Sequence, residues 1–431
     1  MNSNTSRIVI VGAGVFGLTT ALELSKRGHR NIVVLDRHEP PVPDGSSVDI
    51  SRIIRFDYAD SIYLKLAKEA YDLWSTSHHY RKVFSKQPFI LSTTSPSGRA
   101  YIDQCLKNLS QLSLPWTQIR SSKEAKKTFP ILTGTLASPG FYGYCNSQAG
   151  WADATLAIAG LRDQCIEAGI SFISGAHGTV TEFKKEPSGR ITGAKTLSGD
   201  SVQGDLFILA TGAWTSQLVS MHNSILATGQ VLGFMKLTEA EMTHYKTLPI
   251  YINFDNGWFC FPPHEETKYL KVAVHGWGYT RSCQSAASNT TSAVSSPPTE
   301  PRSMRANYAP RDGVQRLREG LREVLPELAG RDFERTAVCW YTDTPTGDFI
   351  MDYHPEHENL FLATGGSGHA FKFLPVIGKY TVDAMARSLP VDMQTKWRFR
   401  TEYRDEDAFK GDGSRGGPER REFTETERAN L

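Results

Sequence analysis

No apolar run in this chain approaches the roughly 18 residues that a membrane span requires, so a span is not expected. The opening Met1-Asn2-Ser3-Asn4-Thr5-Ser6-Arg7 lacks an apolar signal core, which argues against secretion. Cysteine is scarce: six residues, at 105, 145, 165, 260, 283 and 339, with no C-x-x-C pair and no metal-ligand spacing. That scatter fits buried thiols in a reducing compartment rather than a disulfide framework, and no metal is expected. A dominant charge is missing too. With a formal net charge of +2 and no basic stripe interleaved with aromatics, a nucleic-acid partner is not expected. What remains is the composition of a globular protein, 39% hydrophobic and 22% charged, long enough for two or three domains.

The first local pattern is one continuous βαβ unit. Arg7 to Val11 is a short apolar strand rich in β-branched residues, followed by Gly12-Ala13-Gly14-Val15-Phe16-Gly17. A helical stretch from Leu18 to Arg27 and a second apolar strand, Ile32 to Leu35, lead to Asp36. Gly12 permits the tight turn, Gly14 admits a pyrophosphate close to the backbone, and Gly17 lets the helix sit on the strand. The free N–H groups and dipole of the helix start suit an anion, and Asp36 is spaced to accept from ribose hydroxyls. Strand, glycines, helix, strand and acid in register predict a dinucleotide site.

Further along, apolar spacing predicts helices over Ser61–Ser75, Ser97–Leu109, Asp153–Ala168 and Asp312–Leu325. Strand-like pieces occur at 171–173, 178–184, 191–197 and 201–203. The buried strand 205–209 ends on Ala210-Thr211-Gly212, as expected where a backbone passes beneath a cofactor. From 221 to 334 alternating aromatic strands take over, including 251–261 and 269–274, and Cys283–Pro301 reads as a mobile loop. Nucleotide-domain texture returns with the strand 359–363, Thr364-Gly365-Gly366-Ser367-Gly368 and a helix from about Pro375. The reading is an α/β fold: a Rossmann-type domain from segments 1–85, 150–220 and 335–395, and a sheet-rich α+β substrate domain from 86–149 and 221–334. The tail, 396–431, is expected to be frayed over its last 20 residues.

Four blocks far apart carry a resemblance. They are Ser51-Arg52-Ile53-Ile54-Arg55, Tyr269-Leu270-Lys271, Cys339-Trp340-Tyr341-Thr342-Asp343-Thr344-Pro345 and Gly368-His369-Ala370-Phe371-Lys372-Phe373. Together they resemble the monomeric sarcosine oxidase family of flavoproteins, in the branch with fungal pipecolate, saccharopine and fructosyl amine oxidases. The resemblance runs from about residue 7 to 390 and leaves the tail from Gly411 outside. It implies an FAD enzyme that oxidises a small secondary amine bearing a carboxylate and passes the electrons to molecular oxygen, giving hydrogen peroxide; a monomer is one open expectation, and the sequence does not give the oligomeric state.

The resemblance also assigns roles. Cys339 matches the position where a cysteine sulfur bonds the flavin covalently, chemistry that needs a nucleophilic sulfur beside an electron-poor ring. Arg55 and Lys372 match the pair that holds the substrate carboxylate, a guanidinium fork with a point charge beside it. Arg52 matches a residue near the flavin ring. Lys271 matches the lysine that activates oxygen, since a fixed cation favours the first electron transfer to O2. His275 and Tyr341 match pocket positions with catalytic roles, and His369 one that contacts substrate. Flavin contacts are implied for Gly12, Gly14, Val15, Phe16, Gly17, Asp36, Arg37, Ser46, Ser47, Arg52, Val180, Gly212, Trp214, Gly366, Gly368, Phe371 and Lys372. Phe259 departs from relatives that carry a pocket tyrosine, and the Arg-Ile-Ile-Arg run favours a plain secondary amino acid over a sugar adduct.

Other readings stay open at this level: a fructosyl amino acid oxidase, a tailoring oxidase of a larger N-alkyl metabolite, or a flavin-binding redox protein without turnover. A pyridine-nucleotide dehydrogenase is disfavoured because one G-x-G-x-x-G unit is present where two would be expected. Asn289-Thr290-Thr291 reads as a chance glycosylation pattern. The ending Ala429-Asn430-Leu431 resembles a loose peroxisomal address, which would suit a peroxide producer; the alternative is the cytoplasm.

Overall fold

The computed structural model describes residues 5–285, 293–299, 307–403, 409 and 411–431. Its first sheet has six strands in the order 350–353, 360–364, 206–209, 8–11, 32–35 and 171–173. All pairings are parallel except the edge strand Ile350–Tyr353. The central strands are short continuous apolar runs because both faces are covered. Helices Val15–Lys26 and Leu374–Met385 cover one face; they meet so closely that a Cβ on Gly378 would lie 2.2 Å from the Thr19 carbonyl oxygen. On the other face Phe183, Ile191 and Ala194 of an antiparallel three-stranded sheet pack on Val9, Val11, Phe207 and Leu209.

A ten-stranded sheet forms the second layer system. Its long strand Leu226–Lys236 pairs antiparallel with Tyr269–Val274 and with Arg335–Asp343. Helix Arg311–Val324 buries Leu317, Leu321 and Val324 against that sheet, and Gly320 admits the Trp258 indole. Register decides which side chains meet. Gln230 lies opposite Cys339, Thr228 opposite Tyr341 and Phe234 opposite Lys271. With a side-chain period of two, Gln230, Cys339, Tyr341 and Lys271 therefore face the same side.

The structure differs from the sequence reading in three places. Arg335–Asp343, which the sequence reading placed in a nucleotide-domain segment, pairs antiparallel with the long strand of the larger sheet. Cys283–Pro301 is not loop throughout: Ser282–Gln284 and Ala293–Ser295 form a hairpin, and Pro298 and Thr299 accept hydrogen bonds from Trp214 and Arg37. Its Ser, Thr and Ala content hid strands that use mainly backbone pairing; residues 286–292, with the Asn289 pattern, and 300–301 lie outside the described residues. The last 20 residues are not frayed. Arg421–Glu422 adds a strand beside Tyr279–Thr280, Phe423 stacks on Tyr279, and Leu431 is 3% exposed. The tail lacks a long apolar period because it docks through turns and ion pairs, chiefly Arg415 on Asp343.

Among the described residues, no helix is long and apolar enough to cross a membrane.

Candidate active site

The nucleotide end of the groove is built by backbone. Gly12 has φ +111°, and a Cβ there would lie 2.3 Å from the Ala210 carbonyl oxygen. A Cβ on Gly17 would lie 1.8 Å from the Gly12 carbonyl oxygen, so the third glycine lets the helix pass over the turn itself. Gly14 caps the helix without a side-chain acceptor, and Ser47 Oγ accepts from Val15 N–H at 3.0 Å. Asp36 accepts from the Ala13 and Arg37 N–H groups, each at 2.6 Å. Each carboxylate oxygen retains a second lone pair for a hydroxyl group. Burial pushes the Asp36 pKa up despite those bonds and the nearby Arg37. Arg37 also lies over the Trp214 ring at 4.2 Å. Val180, Gly212 and Trp214 line this end, and Gly14, Ser46, Ser47, Ala210 and Gly212 belong equally to the next cavity. The two cavities, about 420 and 190 Å³, thus share a wall and run from Asp36 to Cys339.

The second cavity gathers what the sequence scattered. Arg52, Arg55, Lys271, His275, Cys339, Tyr341, Gly366, Gly368, His369, Phe371 and Lys372 all line it, with Val15, Phe16 and Phe259. Gly368 has φ +74°, and a Cβ there would strike the Tyr341 ring at 2.4 Å. Cys339 is 6% exposed, with Arg52 Nη2 3.7 Å from its sulfur. Burial raises the Cys339 pKa, and the Arg52 guanidinium works against that rise.

Lys271 is 1% exposed but not a free cation. Its Nζ lies 2.5 Å from Asp49 Oδ2 and donates to the Ser51 carbonyl at 2.8 Å; Arg52 pairs with the same Asp49 oxygen. Two cations share one acid, leaving a net positive charge on the trio. Burial, opposed by Asp49 and reinforced by Arg52, brings Lys271 down to about 8. For Asp49, burial would raise the pKa, but Lys271 and Arg52 outweigh it and hold it low. Asp49 escaped the sequence reading, although an acid three residues before Arg52 was its available signal.

On the opposite side the Arg55 guanidinium lies 4.9 Å from the Tyr58 ring and 5.4 Å from Phe89. Its Nη1 is buried and, among the described residues, has no hydrogen-bond partner. Lys372 Nζ, 7% exposed, donates to Tyr58 OH and to the His369 carbonyl, both at 2.9 Å. Burial and then the like charge of Arg55 lower the Lys372 pKa well below its ordinary value. The Tyr58 hydroxyl lies 3.1 Å from His369 Nδ1, and His369 Nε2 lies 2.8 Å from the Gly347 carbonyl. A neutral ring protonated at Nε2 satisfies both contacts, and burial, then Lys372, holds His369 at about 3. His369 thus orients Tyr58 and Lys372, with both ring nitrogens engaged. Phe371 stacks on Trp74, whose Nε1 donates to the Lys372 carbonyl at 2.7 Å. His275 Nδ1 and Tyr341 OH stand 3.4 Å apart. Tyr58 was missed because no local motif marks it, and Asp412 and Ser414, which also line the cavity, were missed with the tail.

The comparisons agree with this geometry. A family model described as FAD dependent oxidoreductase matches residues 7–384. L-saccharopine oxidase of Schizosaccharomyces pombe is 31% identical over 405 residues, covering 91% of this chain and 93% of that protein. Monomeric sarcosine oxidase of a Bacillus species is 28% identical, covering 86% and 90%. Among solved structures, the deglycating fructosamine oxidase of Aspergillus fumigatus (Amadoriase II) superposes with a TM-score of 0.86 at 27% identity, covering 98% and 96%. The glycine turn that a side chain would fill, the shared groove and the family match over most of its length lead to one conclusion: the chain belongs to the FAD-dependent oxidoreductase (DAO) family, as an enzyme acting on CH–NH donors.

Proposed function

We propose that this protein oxidises a secondary amino acid to the imine and reduces O2 to H2O2. The observation that carries the reading is the buried Arg55 Nη1 without a partner, beside Lys372, in a cavity continuous with the dinucleotide groove. A buried guanidinium N–H group left unpaired is costly, and a substrate carboxylate offsets that cost with charge-assisted bonds. The relatives bearing saccharopine and sarcosine oxidase names support a secondary amino acid as the class.

When bound, FAD supplies a two-electron acceptor. Gly12, Gly14, Val15, Gly17, Ser46 and Ser47 would hold its pyrophosphate, Asp36 its ribose, and Arg37, Val180 and Trp214 its adenosine end. Arg52, Phe16, Gly212, Gly366, Gly368 and Phe371 would surround the ring, and Cys339 would bond it covalently. The protein's own work is positional and electrostatic. Arg55 and Lys372 fix the carboxylate, and their positive field favours the neutral amine, whose lone pair assists loss of the neighbouring C–H. No separate base is required. Aromatic walls from Phe259, Phe261 and Tyr341 limit water. Lys271 places positive charge where O2 acquires negative charge. His275 and Tyr341 shape the wall between the two groups.

A peroxide-release screen against sarcosine, pipecolate, proline, saccharopine and fructosyl amino acids tests the class. Charge-assisted hydrogen bonds are worth roughly 1.5–3 kcal/mol, so Arg55→Ala should lower kcat/KM by about one to two decades. Esterifying the carboxylate should cost wild type far more than Arg55→Ala; equal losses would remove Arg55 from that role. For Cys339, acid denaturation should leave fluorescent flavin on the wild-type polypeptide and release it from Cys339→Ala. Flavin freed from wild type would refute attachment. The relatives named monomeric sarcosine oxidase support a monomer. A peroxisomal role for Ala429-Asn430-Leu431 would require Leu431 to leave its packed position before import.

A further inference from the structure

The cavity lining is electrically lopsided. Arg52, Arg55, Lys271 and Lys372 bring four cations, and among the described lining residues Asp412 is the sole carboxylate. It comes from the tail, beyond the residues that the family model matches. The turn that carries it is firmly held. Gly411 N–H donates to the Pro345 carbonyl at 3.1 Å, Arg415 grips Asp343, and Gly417 N–H donates to the Asp255 carbonyl at 2.8 Å. Gly413 approaches the Tyr101 ring: a Cβ there would lie 3.9 Å from Tyr101 Cδ2.

Within that turn Asp412 is an exposed residue that lines the cavity. It accepts from Ser414 N–H at 3.1 Å and from Ser414 Oγ, and among the described residues no cation lies at ion-pair distance from it. An acid in a cavity dominated by cations, paired with none of them, is poised to take a positive charge from outside the protein.

Its position says which charge. A Cβ on Gly347 would lie 3.1 Å from Asp412 N, and the Gly347 carbonyl is bonded to His369. Asp412 therefore lies on the His369–Lys372 side, whereas Cys339, Arg52 and Lys271 with Asp49 form the other side. A carboxylate beside the reacting amine would hold it protonated and withdraw the lone pair that the oxidation needs. Displaced toward the tail, Asp412 can instead receive a second, unreactive cation.

Resting on the proposed secondary amino acid reading, we infer that Asp412 is a specificity residue that binds a positively charged group at the far end of the substrate's N-substituent. The ligand class is a secondary amino acid whose N-linked arm ends in an ammonium. Such a substrate sets its carboxylate on Arg55 and Lys372 and turns its N-linked arm back along the same side, past His369, so that its distal cation meets Asp412, with Ser414 holding the carboxylate of Asp412 in orientation.

The test compares three N-alkyl amino acids of equal arm length that end in ammonium, hydroxyl or carboxylate. Wild type should favour the ammonium arm over the hydroxyl arm by about ten- to a hundredfold in kcat/KM, the range of one charge-assisted bond. Asp412→Asn should remove that preference, leave the hydroxyl arm within about threefold and improve the carboxylate arm. The wild-type comparison needs no variant, so it decides even if Asp412→Asn fails to fold. Oxidation of all three arms at similar rates, with Arg55 still required, overturns the Asp412 role and leaves the proposed function standing. Oxidation of none of them while sarcosine or proline is still oxidised overturns the Asp412 role alone; no oxidation of any of these amines removes the proposed function with it.

Discussion

The two ends of the groove are made of different material. From Val9 to Asp36 one continuous stretch forms a turn whose fit is backbone against backbone, with Gly12 on Ala210 and Gly17 on Gly12. The catalytic end draws on residues from Asp49 to Arg415, and its fit is side chain against side chain: Lys271 and Arg52 on Asp49, Lys372 on Tyr58, Tyr58 on His369, and Arg415 on Asp343. A contact of main chain on main chain leaves a side chain no room, so Gly12 and Gly17 admit no larger residue. An ion-pair network can be edited one member at a time. On the proposed function, the first end would be a constant holder of cofactor, and the second the place where substrate and oxygen chemistry are adjusted.

The sharpest way to break the contrast is at Gly17. A methyl group 1.8 Å from the Gly12 carbonyl oxygen cannot be relieved by a rotamer, because both partners are main chain. Gly17→Ala should cost on the order of 4 kcal/mol or more and abolish stoichiometric flavin in the purified protein. A variant with wild-type flavin absorbance per polypeptide and an unchanged melt would show that the turn can yield.

Next in size is the tie between tail and cavity. Arg415 Nη1 meets Asp343 Oδ2 at 2.7 Å, Nη2 meets Oδ1, and both side chains are buried. Arg415→Ala leaves the Asp343 charge in the interior with the Thr228 hydroxyl, at 2.6 Å, as its remaining side-chain donor among the described residues. Breaking such a pair costs about 3–5 kcal/mol, so the melting temperature should fall and limited proteolysis should open the tail first. Asp343→Asn in the same chain should restore part of the loss. Full resistance of the tail in Arg415→Ala would show that strand Arg421–Glu422 and Phe423 hold it without the ion pair.

The same contrast explains what was legible in the sequence. The βαβ unit could be read because every part of it is local: strand, glycines, helix and acid follow one another. The helices over Ser61–Thr76, Ala154–Glu167 and Arg311–Val324 match their apolar periodicity to within a residue or two. Arg55, Lys271, Cys339 and Lys372 could be read through motif resemblance, and the cavity brings them together. Tyr58 could not, because its partners lie hundreds of residues away and pairing leaves no period; Asp49 has a local partner in Arg52, but Lys271, the partner that gives it meaning, lies 222 residues on. Gly411 to Gly417 misled for a physical reason. A segment threaded between crowded surfaces needs small residues, and a Cβ on Gly416 would meet the Phe254 carbonyl oxygen at 2.0 Å. Glycine density signals a free tail and a tightly docked one alike.

The finest test lies within the catalytic end, where Lys271 should act on oxygen and not on substrate. Lys271→Met should leave anaerobic flavin reduction close to wild type and slow reoxidation by about two decades or more, roughly 3 kcal/mol. Stopped-flow absorbance under nitrogen, then on mixing with oxygen, separates the two steps. Wild type itself carries the smaller version of this experiment. A lysine is charged below its pKa, and burial brings Lys271 down to about 8. Reoxidation should therefore hold a plateau on the acid side and decline as the pH rises through about 8, where the charge is lost. Substrate reduction should run the other way, since a higher pH supplies more neutral amine. In Lys271→Met the declining limb should vanish, leaving a slow, flat reoxidation profile. If the limb survives in Lys271→Met, another group titrates and the trio with Asp49 and Arg52 does not govern oxygen. If the limb vanishes but reduction falls as well, Lys271 also holds substrate, and the division between its two sides of the cavity fails.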